Sequence, residues 1–70
     1  MSLYVTARRQ FIASLRSDGI DETRANEFAR LWEYEANRRH LRRIAPRFWH
    51  DGREFVDGLL ERDRLTLLAE

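Results

Sequence analysis

Residues 15–22, Leu-Arg-Ser-Asp-Gly-Ile-Asp-Glu, decide how this chain folds, because they predict where one helix ends and the next begins. Gly19 can take the left-handed backbone conformation that closes a helix, and Ile20 would then pack back against Leu15. Asp21 follows as the N-cap of a second helix, and the acid after it lies where the helix dipole favours negative charge. The stretch therefore predicts two helices joined by a short turn.

Both flanking segments have the apolar spacing of amphipathic helices. Upstream, a helix is predicted over about residues 5–18, with Thr6 or Ser2 as its N-cap. Its apolar stripe consists of Tyr4, Ala7, Phe11 and Leu15. Downstream, a second helix is predicted over about residues 22–40. Its apolar stripe consists of Ala25, Phe28, Ala29, Trp32 and Ala36.

The stripe of the second helix fails beyond Asn37, because Leu41 and Ile44 point away from it on a straight helix. Either the helix bends or ends near residues 37–40, or its later half faces a different surface. Pro46 then stands where a third helix would place its first residue. These signals predict a joint between the second and third helices.

The third helix is predicted over about residues 46–63, with a stripe of Phe48, Gly52, Phe55 and Leu59. Gly52 lies within this stripe, which suits the close approach of another helix, whereas Gly58 falls on the opposite face. Residues 65–70 are apolar without a clear period, so they either extend the helix or pack as an extended arm.

We therefore expect residues 1–70 to form a single all-α, compact three-helix domain, which could be a dimer. The predicted core consists of Phe11, Leu15, Ile20, Phe28, Trp32, Phe48, Gly52, Phe55, Val56 and Leu59. Several apolar residues lie off the main stripes, and a second copy could bury them. This surplus consists of Leu31, Leu41, Ile44, Leu65, Leu67 and Leu68.

Composition narrows the function classes. The chain has no cysteine and a net charge of +1, and it contains no apolar run near the roughly 18 residues of a membrane span. It also lacks a glycine-rich phosphate loop and any nucleophile with an evident base. His50 and Glu54, with His40 before the joint, offer only a weak metal set. We expect a cytoplasmic protein that is not an enzyme and holds no metal or cofactor.

The sharpest polar feature is a run of arginines around the predicted joint. It consists of Arg38, Arg39, Arg42, Arg43 and Arg47. On a continuous helix, arginines four positions apart would neighbour each other and could grip phosphates or an acidic protein surface. Alternatively, the run is a solvated face, paired with Glu33 and Glu35 one turn earlier or with the acidic third helix.

Two functions fit this pattern. The favoured one is a protein-docking module that uses the arginine run around displaced apolar residues, with Trp32 and Trp49 as further anchors. The apolar interface candidates are Leu41, Ile44, Leu67 and Leu68. The alternative is nucleic-acid binding through the same five arginines. The two functions differ in their response to salt: the affinity for phosphates should fall steeply as the salt concentration rises, whereas the affinity of a protein-docking surface should fall far less.

The segment from Trp32 to Leu60 carries Ala45-Pro46 leading into Phe48-Trp49, followed by Gly52 and Phe55-Val56. In these residues it resembles small uncharacterised helical proteins of GC-rich Gram-positive bacteria and their phages. The resemblance covers less than half of the chain. It implies a three-helix accessory protein, agrees with the absence of lysine, and implies no active site.

Overall fold

The computed structural model describes residues 3–43 and 47–69, in which three helices each pack against the other two. They are α1 (Leu3–Ser17), α2 (Glu22–Arg38) and α3 (Phe48–Ala69). No strand occurs in these two ranges, which confirms the predicted all-α three-helix fold. The molecule measures 44 × 26 × 17 Å, and its long dimension is consistent with the length of α3, about 33 Å at 1.5 Å per residue.

The turn between α1 and α2 forms as its sequence predicts. Gly19 has a φ of 91°, and its N–H donates to the Arg16 carbonyl at 3.0 Å. The Ile20 N–H donates to the Leu15 carbonyl at 3.2 Å, and the half-buried Ile20 side chain packs on the core. Asp21 caps α2 by accepting the Arg24 N–H at 2.8 Å. Together these bonds satisfy backbone groups that would otherwise lack partners at the two helix ends.

The start of α1 differs from the prediction. The helix begins at Leu3, so Thr6 lies within it and is not the N-cap, while Ser2 lies outside the described residues. The earlier start places Tyr4 on the helix, where its ring lies 5.6 Å from that of Trp49. Packing of the Tyr4 ring thus favours a helix that starts two residues before the boundary predicted from the local sequence.

The end of α2 lies at Arg38, two residues before the predicted boundary, and His40 explains why. His40 has a φ of 57°, and its N–H donates to the Asn37 carbonyl at 3.1 Å. The Leu41 N–H donates to the Ala36 carbonyl at 2.9 Å. This is the same closing pattern that Gly19 gives α1, with histidine in the left-handed position. Leu41 leaves the apolar stripe because the helix has ended.

Helix α3 begins at Phe48, while the predicted start at Pro46 lies outside the described residues. It continues to Ala69, six residues beyond the predicted end. The tail is therefore helical, and the alternative of an extended arm is wrong. Residues 61–68 are all exposed, so α3 continues past the part of the bundle that buries it.

The buried core lies where the three apolar stripes meet, and half of its ten members are aromatic. It consists of Phe11, Leu15, Ala25, Phe28, Ala29, Trp32, Ala36, Phe48, Trp49 and Val56. Three predicted core residues, Ile20, Phe55 and Leu59, are only partly buried around its edge.

Gly52 is buried against the indole of Trp32, as its position in the apolar stripe predicts. A Cβ at this position would lie 2.5 Å from Cδ1 of the ring. The Trp32 Nε1–H donates to the Phe48 carbonyl at 3.0 Å, which fixes the ring across the start of α3. Glycine therefore sets how closely α2 and α3 approach each other.

Candidate functional site

The arginine run does not form one patch, because α2 ends inside it. Arg38 and Arg39 both turn back to Glu35. Arg38 Nη2 lies 2.6 Å and Arg39 Nε 2.8 Å from Glu35 Oε1. Hydrogen bonds from Arg38 and then Arg39 lower the pKa of the Glu35 carboxyl to about 2. These two arginines are therefore held at the helix end by a shared carboxylate.

The Arg43 side chain lies apart from those of Arg38 and Arg39 and binds polar groups earlier on α2. Its guanidinium donates to the Glu33 carbonyl at 3.3 Å and to the Asn37 side-chain oxygen. The Glu33 carboxylate accepts from the Tyr4 hydroxyl and from Arg8 Nε, the latter at 3.1 Å. Burial, followed by the hydrogen bond to Glu33, raises the pKa of Tyr4 to about 12. Arg43 is thus part of a polar seam between α1 and α2.

Arg42 and Arg47 are the two arginines of the run that remain exposed without an ion pair to any residue in 3–43 or 47–69. The i,i+4 pairs that a continuous helix would give, Arg38 with Arg42 and Arg39 with Arg43, do not arise, because α2 ends at Arg38 and the chain turns at His40. Two arginines pair with Glu35, one binds across the seam, and two face solvent.

The apolar interface candidates lie in two places. Leu41 is 42 % exposed beside the end of α2, whereas Leu67 and Leu68 are 72 % and 74 % exposed near the end of α3. Ile44 lies outside the described residues. Trp32 is buried in the core, as the predicted core has it, and Trp49 is buried beside it, so neither side chain is exposed to act as an interface anchor.

A groove of about 480 Å³ opens where α2 ends and the first turns of α3 pass it, and we call it the joint groove. It is lined by Trp32, Arg39, Leu41, Asp51, Glu54 and Phe55. Leu41 and Phe55 supply apolar surface, while the charged side chains carry both signs. Sequence reasoning found Leu41 and Arg39 but missed Asp51 and Glu54, which only the packing of α3 on α2 brings to them.

A second depression, of about 470 Å³, lies towards the other end of α3. It is lined by Arg24, Leu60, Asp63, Arg64, Thr66 and Leu67. Arg24 Nη2 lies 3.4 Å from Asp63 Oδ2, an exposed ion pair between α2 and this part of α3. At 1.5 Å per residue, Leu67 is about 20 Å along α3 from Glu54, so the two apolar regions are separate within one copy.

The candidate metal ligands do not form a site in the described part of the chain. His50 Nε2 lies 3.6 Å from Glu54 Oε1 on the exposed surface. Across residues 3–43 and 47–69, no three histidine, aspartate or glutamate side chains are placed to share an ion. Nor does any helix in these ranges have the length and hydropathy needed to cross a membrane.

Comparisons of the chain with protein-family models, with curated proteins and with solved structures found no match. The resemblance to small helical proteins of GC-rich Gram-positive bacteria and their phages therefore stays a prediction.

Proposed function

We propose that this protein is a docking module of the cytoplasm, which binds another protein surface through the joint groove. The observation that supports this proposal most is the composition of that groove. Leu41 remains 42 % exposed beside Phe55, and charged groups of both signs surround them. Apolar surface inside a charged rim is the usual composition of a protein interface.

The charges around the groove favour a protein partner over a phosphate backbone. Asp51 and Glu54 line one wall and repel phosphate, while Arg39 on the opposite wall already pairs with Glu35. A protein partner can match both signs, whereas a nucleic acid presents one. The exposed Arg42 and Arg47 are the groups that the alternative function would use.

Co-purification of the tagged protein from its native cell, with and without nuclease, tests the proposal. The informative variant is Leu41→Asp, which places a charge in the groove. Its matched control is Leu3→Asp at a side chain that is 89 % exposed on α1. We expect nuclease to leave partner recovery unchanged, Leu41→Asp to abolish it, and Leu3→Asp to retain it.

The double variant Arg42→Gln/Arg47→Gln tests the alternative. These side chains make no ion pair within the described ranges, so their removal should barely change stability. Under the docking proposal, partner capture survives this change and weakens little with salt. Recovery of DNA or RNA that is sensitive to nuclease, falls steeply with salt and is lost in the double variant would overturn the proposal.

A further inference from the structure

A stripe of residues follows the outward side of α3 and continues from the joint groove. It consists of Asp51, Glu54, Gly58, Arg62 and Leu65. At about 100° per residue these positions fall within an arc of about 80°, so they form one face of the helix. Asp51 is half-buried and the other four are exposed. We call this face the α3 stripe.

Gly58 lies at the centre of the α3 stripe, and no contact within residues 3–43 and 47–69 requires a glycine there. A glycine inside a helix lowers the stability of that helix relative to alanine. Gly52, in the same helix, meets the Trp32 ring, but a Cβ at Gly58 would meet no described atom within 4 Å. The missing side chain therefore leaves an open surface where another backbone could approach closely.

The acidic side chains of the α3 stripe precede Gly58, and its basic and apolar side chains follow Gly58 at the same spacings. Glu54 precedes the glycine by four residues, and Arg62 follows it by four. Asp51, in the joint groove, precedes it by seven, and the exposed Leu65 follows it by seven. Arg62 makes no ion pair within residues 3–43 and 47–69, and Glu54 has only its exposed contact with His50.

From this arrangement we propose that the partner of the joint groove is a second copy of this chain, whose α3 crosses the first antiparallel at Gly58. The inference rests on the proposed function and names its partner. A twofold axis at Gly58 places Glu54 of each copy opposite Arg62 of the other. The same axis brings Leu65 of one copy to Asp51 of the other, at the edge of the joint groove.

The twofold axis also explains why the exposed apolar residues occupy both ends of α3. In one copy Leu41 and Leu65 cannot cover each other, because about three to four turns of α3, roughly 15–21 Å, separate the joint groove from Leu65. Antiparallel pairing brings the tail of each copy to the groove of the other. The contact is self-complementary, as a twofold interface requires.

Sedimentation equilibrium over a range of concentrations tests the pairing by charge reversal. We expect the unmodified chain to dimerise at high micromolar concentration. Arg62→Glu and Glu54→Arg should each raise the dissociation constant about tenfold or more, because each places like charges together twice. The double variant Glu54→Arg/Arg62→Glu should restore the affinity. Arg64→Glu is the matched control, since it makes the same charge change off the α3 stripe.

Gly58→Leu provides an independent test, because a Cβ at this position meets no described atom within 4 Å in one copy, whereas a close helix crossing at Gly58 leaves no space for a side chain. We expect it to abolish dimerisation while circular dichroism shows the same helical content. A chain that stays monomeric at high micromolar concentration, a double variant that fails to restore pairing, or an equal effect of Arg64→Glu would overturn the inference. The proposed docking function is tested separately: if Leu41→Asp loses a partner protein in the co-purification experiment, docking at the joint groove is supported even where pairing of two copies is refuted.

Discussion

Substitutions at the two glycines of α3 test how closely α3 packs against α2. At Gly52 the added methyl of alanine would lie 2.5, 2.7 and 2.9 Å from Cδ1, Nε1 and Cγ of Trp32. Ordinary carbon contacts are about 3.5–4.0 Å, so the ring has to move by about 1 Å. Trp32 is only 2 % exposed and its N–H is bonded to the Phe48 carbonyl, so movement strains both packing and that bond.

The expected change in stability combines two destabilising effects and one stabilising effect. Overpacking costs about 1–3 kcal/mol, and weakening of the indole hydrogen bond costs about 1 kcal/mol more. The better helix propensity of alanine returns about 1 kcal/mol. We therefore expect Gly52→Ala to lower the free energy of unfolding by about 1–3 kcal/mol. In a chain of this size, each 1 kcal/mol shifts Tm by about 4–8 °C.

Gly58→Ala is the matched control, since it makes the same change in the same helix where the added methyl meets no described atom. It should raise the free energy of unfolding by about 1 kcal/mol. Urea denaturation followed by circular dichroism measures both variants at low micromolar concentration, below the range in which we propose that the chain dimerises. A Gly52→Ala variant as stable as Gly58→Ala would refute the inferred contact between α2 and α3.

Three further predictions concern single side chains. His40→Gly should raise the free energy of unfolding by about 0.5–1 kcal/mol in urea denaturation, because glycine adopts the left-handed conformation at φ 57° without steric cost; unchanged or lower stability would contradict this. Trp32→Phe should destabilise more than Trp49→Phe in the same assay, because the Trp32 N–H is bonded whereas the buried Trp49 N–H finds no acceptor in the described structure. The raised pKa of Tyr4 means that its contribution to stability is complete below about pH 10 and is lost towards about pH 12. The urea midpoint should therefore fall less between about pH 9 and about pH 11 in Tyr4→Phe than in the unmodified chain. An equal fall in both proteins would exclude a contribution of the Tyr4 hydroxyl to stability.

The sequence predicted those parts of the fold that depend on local chemistry. Gly19 and Asp21 are standard choices for ending one helix and starting the next, so the first turn forms as expected. His40 ends α2 in the same way, but histidine is only an occasional left-handed residue and gave no strong signal. The length of α3 also escaped prediction, because the leucines of its tail follow no single helical face.

The candidate site could be predicted only in part, because it depends on where α2 ends. A helix continuing to residue 43 would align Arg39 with Arg43, but the turn at His40 sends Arg43 to Glu33 and leaves Arg39 with Glu35. Asp51 and Glu54 reach the joint groove only through tertiary packing. No local pattern in the chain could place them beside Leu41.

The central claim is that the joint groove receives Leu65 of a second copy. Isotope-filtered NMR on a mixture of labelled and unlabelled chains tests it most directly, because only contacts between copies give a signal. We predict intermolecular contacts between the methyl groups of Leu65 and Leu41, together with contacts between the two Gly58 α-protons. Intermolecular contacts that join Leu65 to Leu65, or none at all at high micromolar concentration, would contradict the claim.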